Sequence, residues 1–333
     1  MELIKPTYYD TFRCLAGACP DSCCKGWAVE VDGQSAAMYR ALPGSLGDAL
    51  RQKLTEADGD TILSLNADGR CPMWRDDGLC RIQAELGETA LCRTCREFPR
   101  LRHDYGDFVE LGLELSCPEA ARLLLDRQDC FVTAVSLPGG DAPEYDPEAM
   151  AVLRRSRETI LAFLARKDCA VGEALAVLLL YGYAVQSELD GAEEALLDPP
   201  ADLVRASRLA TPGSMRDILD FLSGLEILDP SWLIRLRSPK GGQWQEAHRA
   251  MARYFVERYW LQAVSDYDLV GRVKLTVISC LAVKALGGDV YETAQRYSKE
   301  IENDPDNLAA ILDGAYTAPA LADRGLLGLL LGR

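Results

Sequence analysis

The rhythm of apolar and polar positions changes near residue 146 of this 333-residue chain. Beyond that point Met150, Val152, Leu153, Ile160, Leu161, Phe163 and Leu164 recur at helical spacing. The same period predicts helices at about 170–188, 201–209, 214–226, 243–263, 268–286 and 289–303, with a last one over 307–331. Thr317-Ala318-Pro319 interrupts that last helix. Asp198-Pro199-Pro200, Thr211-Pro212-Gly213 and Gly287-Gly288 separate the others, since proline and glycine end regular structure.

The first 120 residues are turn-rich and follow a different pattern. Residues 27–32, 61–65 and 108–115 alternate apolar and polar side chains, as half-buried strands do. Between them, Met38, Tyr39, Leu42, Leu46, Leu50 and Leu54 predict a helix over 34–56, broken or kinked at Pro43-Gly44. Cys117-Pro118-Glu119 opens a further helix to about residue 127, because proline is tolerated in a first turn. Residues 136–147, centred on Pro138-Gly139-Gly140-Asp141-Ala142-Pro143, read as a linker. The expected architecture is mainly α: a Cys-rich, metal-binding amino-terminal region with short β elements over 1–135, then an all-helical domain over 146–333. No internal repeat of fixed period is evident.

Composition narrows the function classes. Apolar residues make up 48% and charged residues 26%, an ordinary globular balance. A net charge of −15 argues against non-specific nucleic-acid binding. It suits a basic, lysine-bearing partner, or simply solubility. No apolar run is long enough to cross a bilayer, and residues 1–9 hold no apolar signal segment. The expectation is therefore a cytoplasmic protein with reduced thiols.

Cysteine is the anomaly. Nine of the twelve cysteines lie at or before Cys117: Cys14, Cys19, Cys23, Cys24, Cys71, Cys80, Cys92, Cys95 and Cys117. Cys92-Arg93-Thr94-Cys95 is a C-x2-C clip, a spacing that lets two thiolates face one metal across a tight turn. Cys130, Cys169 and Cys280 are scattered and read as small buried hydrophobes. Disulfides, buried structural thiols and structural zinc compete with an iron–sulfur cluster for the nine. A reducing compartment argues against disulfides. Proline after Cys19, Cys71 and Cys117, and only two histidines in the chain, tilt the metal to iron–sulfur, with zinc the alternative. Nine thiols exceed the needs of one four-cysteine cluster, so some are structural or a second metal exists.

These motifs resemble a known family. Phe12-Arg13-Cys14, Cys19-Pro20-Asp21-Ser22-Cys23-Cys24-Lys25-Gly26-Trp27 and Asp32 resemble the opening of the flagellin lysine-N-methylases. Cys71-Pro72, Asp77-Gly78-Leu79-Cys80-Arg81, Cys92-Arg93-Thr94-Cys95-Arg96-Glu97-Phe98-Pro99-Arg100 and Ser116-Cys117-Pro118 continue the resemblance. It extends to Arg253-Tyr254-Phe255-Val256-Glu257-Arg258-Tyr259-Trp260 and to the stretch from Gln295 to Glu302. The family pattern places a histidine after the Ile-Glu, where this chain has Asn303. The amino-terminal part also resembles cysteine-cluster proteins described as zinc- or iron-chelating. The resemblance implies an enzyme, a protein-lysine N-methyltransferase taking its methyl group from S-adenosylmethionine, with flagellin as substrate and a cluster of the 4Fe-4S type. The alternative is a non-catalytic metal-binding module, serving interaction or metal delivery.

The residues themselves write neither common route to S-adenosylmethionine. No strand runs into a Gly-rich turn as in a Rossmann methyltransferase. Cys19 and Cys23 begin a C-x3-C-x2-C motif, but Gly26 takes the third position. Lysine methylation needs a desolvated amine, alignment with the methyl carbon, and aromatic faces for the sulfonium. Tyr254, Tyr259 and Trp260, with Trp27 of the amino-terminal motif, are the aromatic candidates for that site; packing on a helix face is the alternative. Tyr254 and Tyr259 are five apart and need not share a face. Arg96 and Arg100, in a basic stretch with Arg93 and Arg102, are candidates to clamp the carboxylate of the cofactor. Their alternative role is charge balance for thiolates, or pairing with Glu97 and Asp104. No residue stands out as the catalytic base.

Overall fold

The computed structural model describes residues 1–27, 29–57, 59–127, 132–136 and 142–333. Seven strands occur among them: β1 (Glu2–Pro6), β2 (Val29–Glu30), β3 (Leu54–Ala57), β4 (Asp60–Leu63), β5 (Arg100–Asp104), β6 (Phe108–Leu113) and β7 (Val132–Ser136). Five short helices lie in the amino-terminal part: α1 (Gly33–Ala41), α2 (Gly44–Lys53), α3 (Arg81–Leu86), α4 (Arg93–Glu97) and α5 (Pro118–Asp126). Ten more follow: α6 (Pro147–Leu164), α7 (Val171–Leu189), α8 (Pro199–Leu209), α9 (Met215–Ser223), α10 (Pro230–Arg237), α11 (Glu246–Tyr259), α12 (Leu269–Leu286), α13 (Val290–Ile301), α14 (Pro305–Thr317) and α15 (Asp323–Leu330). The mainly α class is what the period of apolar positions predicts. No described helix is long and apolar enough to cross a membrane. Residues 137–141 of the expected linker lie outside the described residues.

Local chemistry explains the boundaries. Asp146 caps α6 by accepting from the Glu148 and Ala149 amides, and Pro147 fills the first turn. Asp198, Asp229 and Asp304 cap α8, α10 and α14 in the same Asp-Pro form. Pro43 and Gly44 divide the expected 34–56 helix into α1 and α2. α12 is buried along nearly its whole length and packs against α7, α11 and α14.

Two sheets and two cores position the amino-terminal part. One sheet has the order β5-β6-β1-β7, with β1 parallel to β6 and antiparallel to β7. The other has the order β2-β4-β3. The larger core joins Phe12, Phe108, Leu113, Leu115 and α5 to the long helices. The smaller one gathers Val29, Tyr39, Leu50, Leu63, Ile82 and the thiols of Cys71 and Cys92. Hydrophobic packing is therefore continuous from the first sheet into the helical body, while the thiol-rich unit keeps a core of its own.

Candidate functional site

Backbone pairing brings the thiol-bearing loops together. The Cys71 amide donates to the Cys24 carbonyl at 2.7 Å, and Trp74 forms a bridge with Cys80. Cys92 caps α4 and places Cys95 in its first turn. Tyr39 anchors the preceding loop through its hydroxyl on the Ala90 carbonyl at 2.7 Å. Cys24, Cys71, Cys80, Cys92 and Cys95 thus form one set whose thiols act on one another electrostatically, against the smaller core. Cys14, Cys19, Cys23 and Cys117 form a second set. The adjacent pair Cys23-Cys24 joins the two sets, its thiols bonding to each other.

A clamp from α13 holds the second set together. Gln295 Nε2 donates to Asp21 Oδ2 at 3.0 Å and to the Ser116 carbonyl at 2.7 Å. It therefore ties the Cys19–Cys23 loop to the residue before Cys117. Lys299 Nζ adds bonds to Asp21 Oδ2 and to the Ser22 carbonyl, each at 2.9 Å. Gly26 turns the chain onward to Trp27 at φ 90°, a region that side chains with a Cβ avoid.

Hydrogen bonds between thiols tune their acidity. Cys24 is lowered to about 7 because the Cys23 thiol bonds to it, and Cys92 is lowered to about 7 by Cys95 in the same way. Burial pushes Cys71 up to about 12 and Cys117 up to about 11. Among the described residues no three thiol, imidazole or carboxylate groups converge as a ready set of metal ligands. The donor chemistry is nonetheless uniform: nine thiols, with His103 on β5 beside a cavity and His248 bonded to Gln245 in the helical body. Such a set suits sulfur-ligated zinc or iron–sulfur. Of the other cysteines, Cys280 is buried and Cys169 half-buried, while Cys130 lies outside the described residues.

One cavity lies between the first sheet and helices α6 and α11, and a second where the thiol-bearing loops meet the end of α13. The larger, about 500 Å³, is lined by His103, Glu110, Leu113, Arg157, Tyr254 and Arg258 among others. Arg157 and Glu110 form a two-pronged ion pair there at 2.5 and 2.8 Å. Burial and Arg258 lower the pKa of His103, whose Nε2 is buried and has no partner among the described residues. The smaller, about 300 Å³, sits at the seam and is lined by Trp27, Phe98, Arg100, Glu114, Glu302 and Asn303, with Thr94 and Glu97.

Behind the seam cavity stands a buried polar network. Glu302 Oε1 accepts from the hydroxyls of Tyr254 at 3.0 Å and Tyr259 at 2.8 Å, and pairs with Arg258 at 3.2 Å. Arg258 also donates to the Tyr254 hydroxyl at 2.6 Å. Glu302 Oε2 and Trp27 Nε1 are both buried and have no partner among the described residues. The pKa of Glu114 is raised by burial, with Arg258 opposing.

The residues singled out in the sequence are distributed as follows. Trp27 and Arg100 line the seam cavity, Tyr254 lines the larger one, and Tyr259 reaches the network between them. Arg96 is exposed on α4 and lines neither cavity. Trp260 is buried in the helical core, with its N–H on Ser156 at 3.1 Å and its ring stacked on Tyr181. Arg102 pairs with Asp104 at 2.8 Å. Glu114, Arg157 and His103 join the site although no motif in the sequence marks them for it, and Glu302 joins them from the end of the Gln295–Glu302 stretch. In the sequence the Ile301-Glu302-Asn303 stretch stands out only for Asn303, not for the carboxylate before it.

Comparison with known proteins gives matches over part of the chain. It is 34% identical over 137 residues to the flagellar biosynthetic protein FliU of Salmonella muenchen, covering 39% of this chain and 81% of that one. It is equally 34% identical over 137 residues to the lysine-N-methylases of Salmonella typhimurium and Salmonella choleraesuis. Those alignments cover 39% of this chain and 34% of each methylase, so the chain spans about a third of their length. No family model matches the chain. No solved structure matches it.

Proposed function

The chain belongs to the flagellar lysine-N-methylase family, and on that premise we propose that it is a protein-lysine N-methyltransferase. In this reading it uses S-adenosylmethionine, carries a cysteine-ligated iron–sulfur cluster and acts on flagellin in the cytoplasm. The observation that carries the reading is the seam cavity. Its walls come from both ends of the chain: Trp27, Phe98 and Arg100 from the thiol-bearing loops, and Glu302 and Asn303 from the end of α13. Trp27 follows Cys24 by three residues and Thr94 precedes Cys95, so the cavity adjoins the five-thiol set. A metal-binding module without catalysis needs no such cavity.

S-adenosylmethionine supplies an electrophilic methyl group. The larger cavity has the scale of a cofactor site, an apolar wall at Leu101, Leu113 and Leu161, and polar groups at its edge. Tyr8 and Tyr254 are the tyrosines of its lining, whose rings would meet a cationic molecule. An iron–sulfur cluster supplies electron-transfer capacity, and the all-sulfur donor set suits it. The chain's own residues hold the loops through Gln295 and Lys299 and fix Glu302 behind the seam through Tyr254, Tyr259 and Arg258.

The test uses protein purified without oxygen and assayed for iron, sulfide and zinc. It is then incubated with methyl-labelled S-adenosylmethionine and flagellin from the same organism. Label on flagellin lysines is expected. No label after reconstitution of the metal refutes the reading.

A further inference from the structure

We propose that the outer edge of β5 is a docking site for an extended, acidic segment of a partner protein, which adds to the first sheet as a further strand. The edge runs beside the two cavities, and its geometry does not depend on the methylase reading above.

β5 ends the β5-β6-β1-β7 sheet and pairs with β6 alone. The bonds at its two ends fix which way its backbone faces. The Tyr105 amide donates to the Phe108 carbonyl at 2.9 Å, and the Glu114 amide donates to the Pro99 carbonyl at 2.7 Å. In an antiparallel ladder bonded pairs alternate with unbonded ones, so Leu101 and His103 turn their backbone groups to β6. The amides and carbonyls of Arg100, Arg102 and Asp104 therefore face away from it. All three residues are exposed. An exposed row of backbone donors and acceptors without a neighbouring strand is a template for one.

Charge selects the occupant. The chain carries a net charge of −15, yet residues 96–104 hold Arg96, Arg100 and Arg102 against Glu97 and Asp104. Arg96 and Arg100 make no ion pair among the described residues, and Arg100 rests over the Phe12 ring at 5.3 Å. Arg102 pairs with Asp104 at 2.8 Å, but both side chains are about half exposed, where water weakens the attraction. A second copy of β5 fits badly, since antiparallel pairing about its centre sets Arg102 against Arg102. An acidic strand fits well, since carboxylates opposite Arg100 and Arg102 form cross-strand pairs with them. Strand alternation then describes the segment. Its acidic side chains stand two residues apart on the solvent face. Apolar ones between them fall on the face of Leu101 and His103, which line the larger cavity. Arg100 lines the seam cavity, so the docked segment passes both.

The experiment titrates the full-length protein with the fluorescent peptide acetyl-Thr-Val-Glu-Val-Glu-Val-Thr-amide, and with the same peptide carrying lysine for both glutamates. Binding is read by fluorescence anisotropy. The wild type should bind the glutamate peptide at least about tenfold more tightly, as two cross-strand pairs change from opposite to like charge. The double variant Arg100→Glu/Arg102→Glu, folded by circular dichroism, should reverse that preference. Two further peptides carry N-methyl groups on the glutamate amides or on the valine amides. One of them should bind about tenfold more weakly, because only one of the two sets of amides can face β5. Equal binding of the glutamate and lysine peptides by the wild type, or binding of neither, overturns the proposal. So does undiminished binding of both N-methylated peptides, which rules out strand addition. Competition by a single-stranded oligonucleotide as strong as that by unlabelled peptide also overturns it, by showing a general anion surface.

Discussion

Replacing Asp21 by asparagine should loosen the Cys19–Cys23 loop locally and leave the helical body intact. Asp21 Oδ2 receives Lys299 Nζ at 2.9 Å and Gln295 Nε2 at 3.0 Å. The Lys299 side chain is only 15% exposed, so its ammonium depends on Asp21 for its counter-charge. Asparagine keeps an acceptor oxygen and removes the charge. The loss is then about the difference between a charged and a neutral hydrogen bond, roughly 1–2 kcal/mol. That corresponds to about a tenfold rise in the local opening constant.

The pH dependence checks the cause. Burial works against the Asp21 charge, yet Lys299, Ser22 and Gln295 pull its pKa below the ordinary value of 3.8. A depressed carboxyl stabilises fully above its unfolded pKa, and the contribution is lost as pH falls through its folded pKa. The gap between wild type and Asp21→Asn should therefore be complete at pH 7 and closing below pH 3.8, the side on which Asp21 protonates. Hydrogen exchange read by mass spectrometry on peptides covering residues 14–27 measures it as the ratio of variant to wild-type rates at each pH. A ratio near one at pH 7 refutes the clamp. A ratio at pH 3 as large as at pH 7 refutes the electrostatic cause.

Three further outcomes follow from the same geometry. Arg157 and Glu110 are 13% and 12% exposed, so Arg157→Leu or Glu110→Leu alone should cost about 3–5 kcal/mol in urea unfolding, and the double variant clearly less than the sum; additive losses refute the pairing. His248 is lowered to about 4 by burial from 6.5, so the unfolded chain takes up its proton first as pH falls. Stability should then decline by up to roughly 3 kcal/mol between pH 6.5 and 4, a decline that His248→Gln reduces by that amount. Paired substitutions Cys92→Ser/Cys95→Ser and Cys14→Ser/Cys117→Ser should each remove part of the bound metal, as measured by elemental analysis; complete loss from either pair shows that the two thiol sets serve one centre.

Legibility in the sequence depends on how local each signal is. The long helices are readable because their apolar period and their Asp-Pro caps are both local, as at Asp146-Pro147 and Asp304-Pro305. Asp229-Pro230 carries the same cap signal for α10, a helix that the apolar period alone misses. β1 is not readable. Its residues 2–6 are all half-buried, with no alternation, because a neighbour on each side rather than its own pattern makes it a strand. The thiols are readable as a group and not as two sets. Cys23 and Cys24 bond to each other, yet Cys117 acts on Cys23 and Cys24 acts on Cys71, contacts that exist only once distant loops are packed. Tyr254 and Tyr259 do meet at one oxygen although five apart. α11 ends at Tyr259, whose φ of −111° departs from the regular helical value and brings the ring back toward Glu302.

Glu302 shows why the site itself is the least legible part. In a chain with 51 acidic residues, one at the end of an amphipathic helix is marked only by its place in the Gln295–Glu302 stretch, with nothing to show that it is buried. What sets it apart is that two tyrosines and an arginine from α11 reach one of its oxygens, while the other is buried with no partner among the described residues. Burial, with one oxygen saturated and the other unmet among the described residues, exists only after α11, α13 and the thiol-bearing loops are packed. The thiol loops and the helical body then depend on each other. Gln295 and Lys299 of α13 hold the loop that carries Cys19 and Cys23, and that loop, through Gly26, places Trp27 opposite Glu302. A change that opens the Asp21 clamp should accordingly loosen the chain up to Trp27 at the seam cavity as well as the four-thiol set, although Asp21 does not line that cavity.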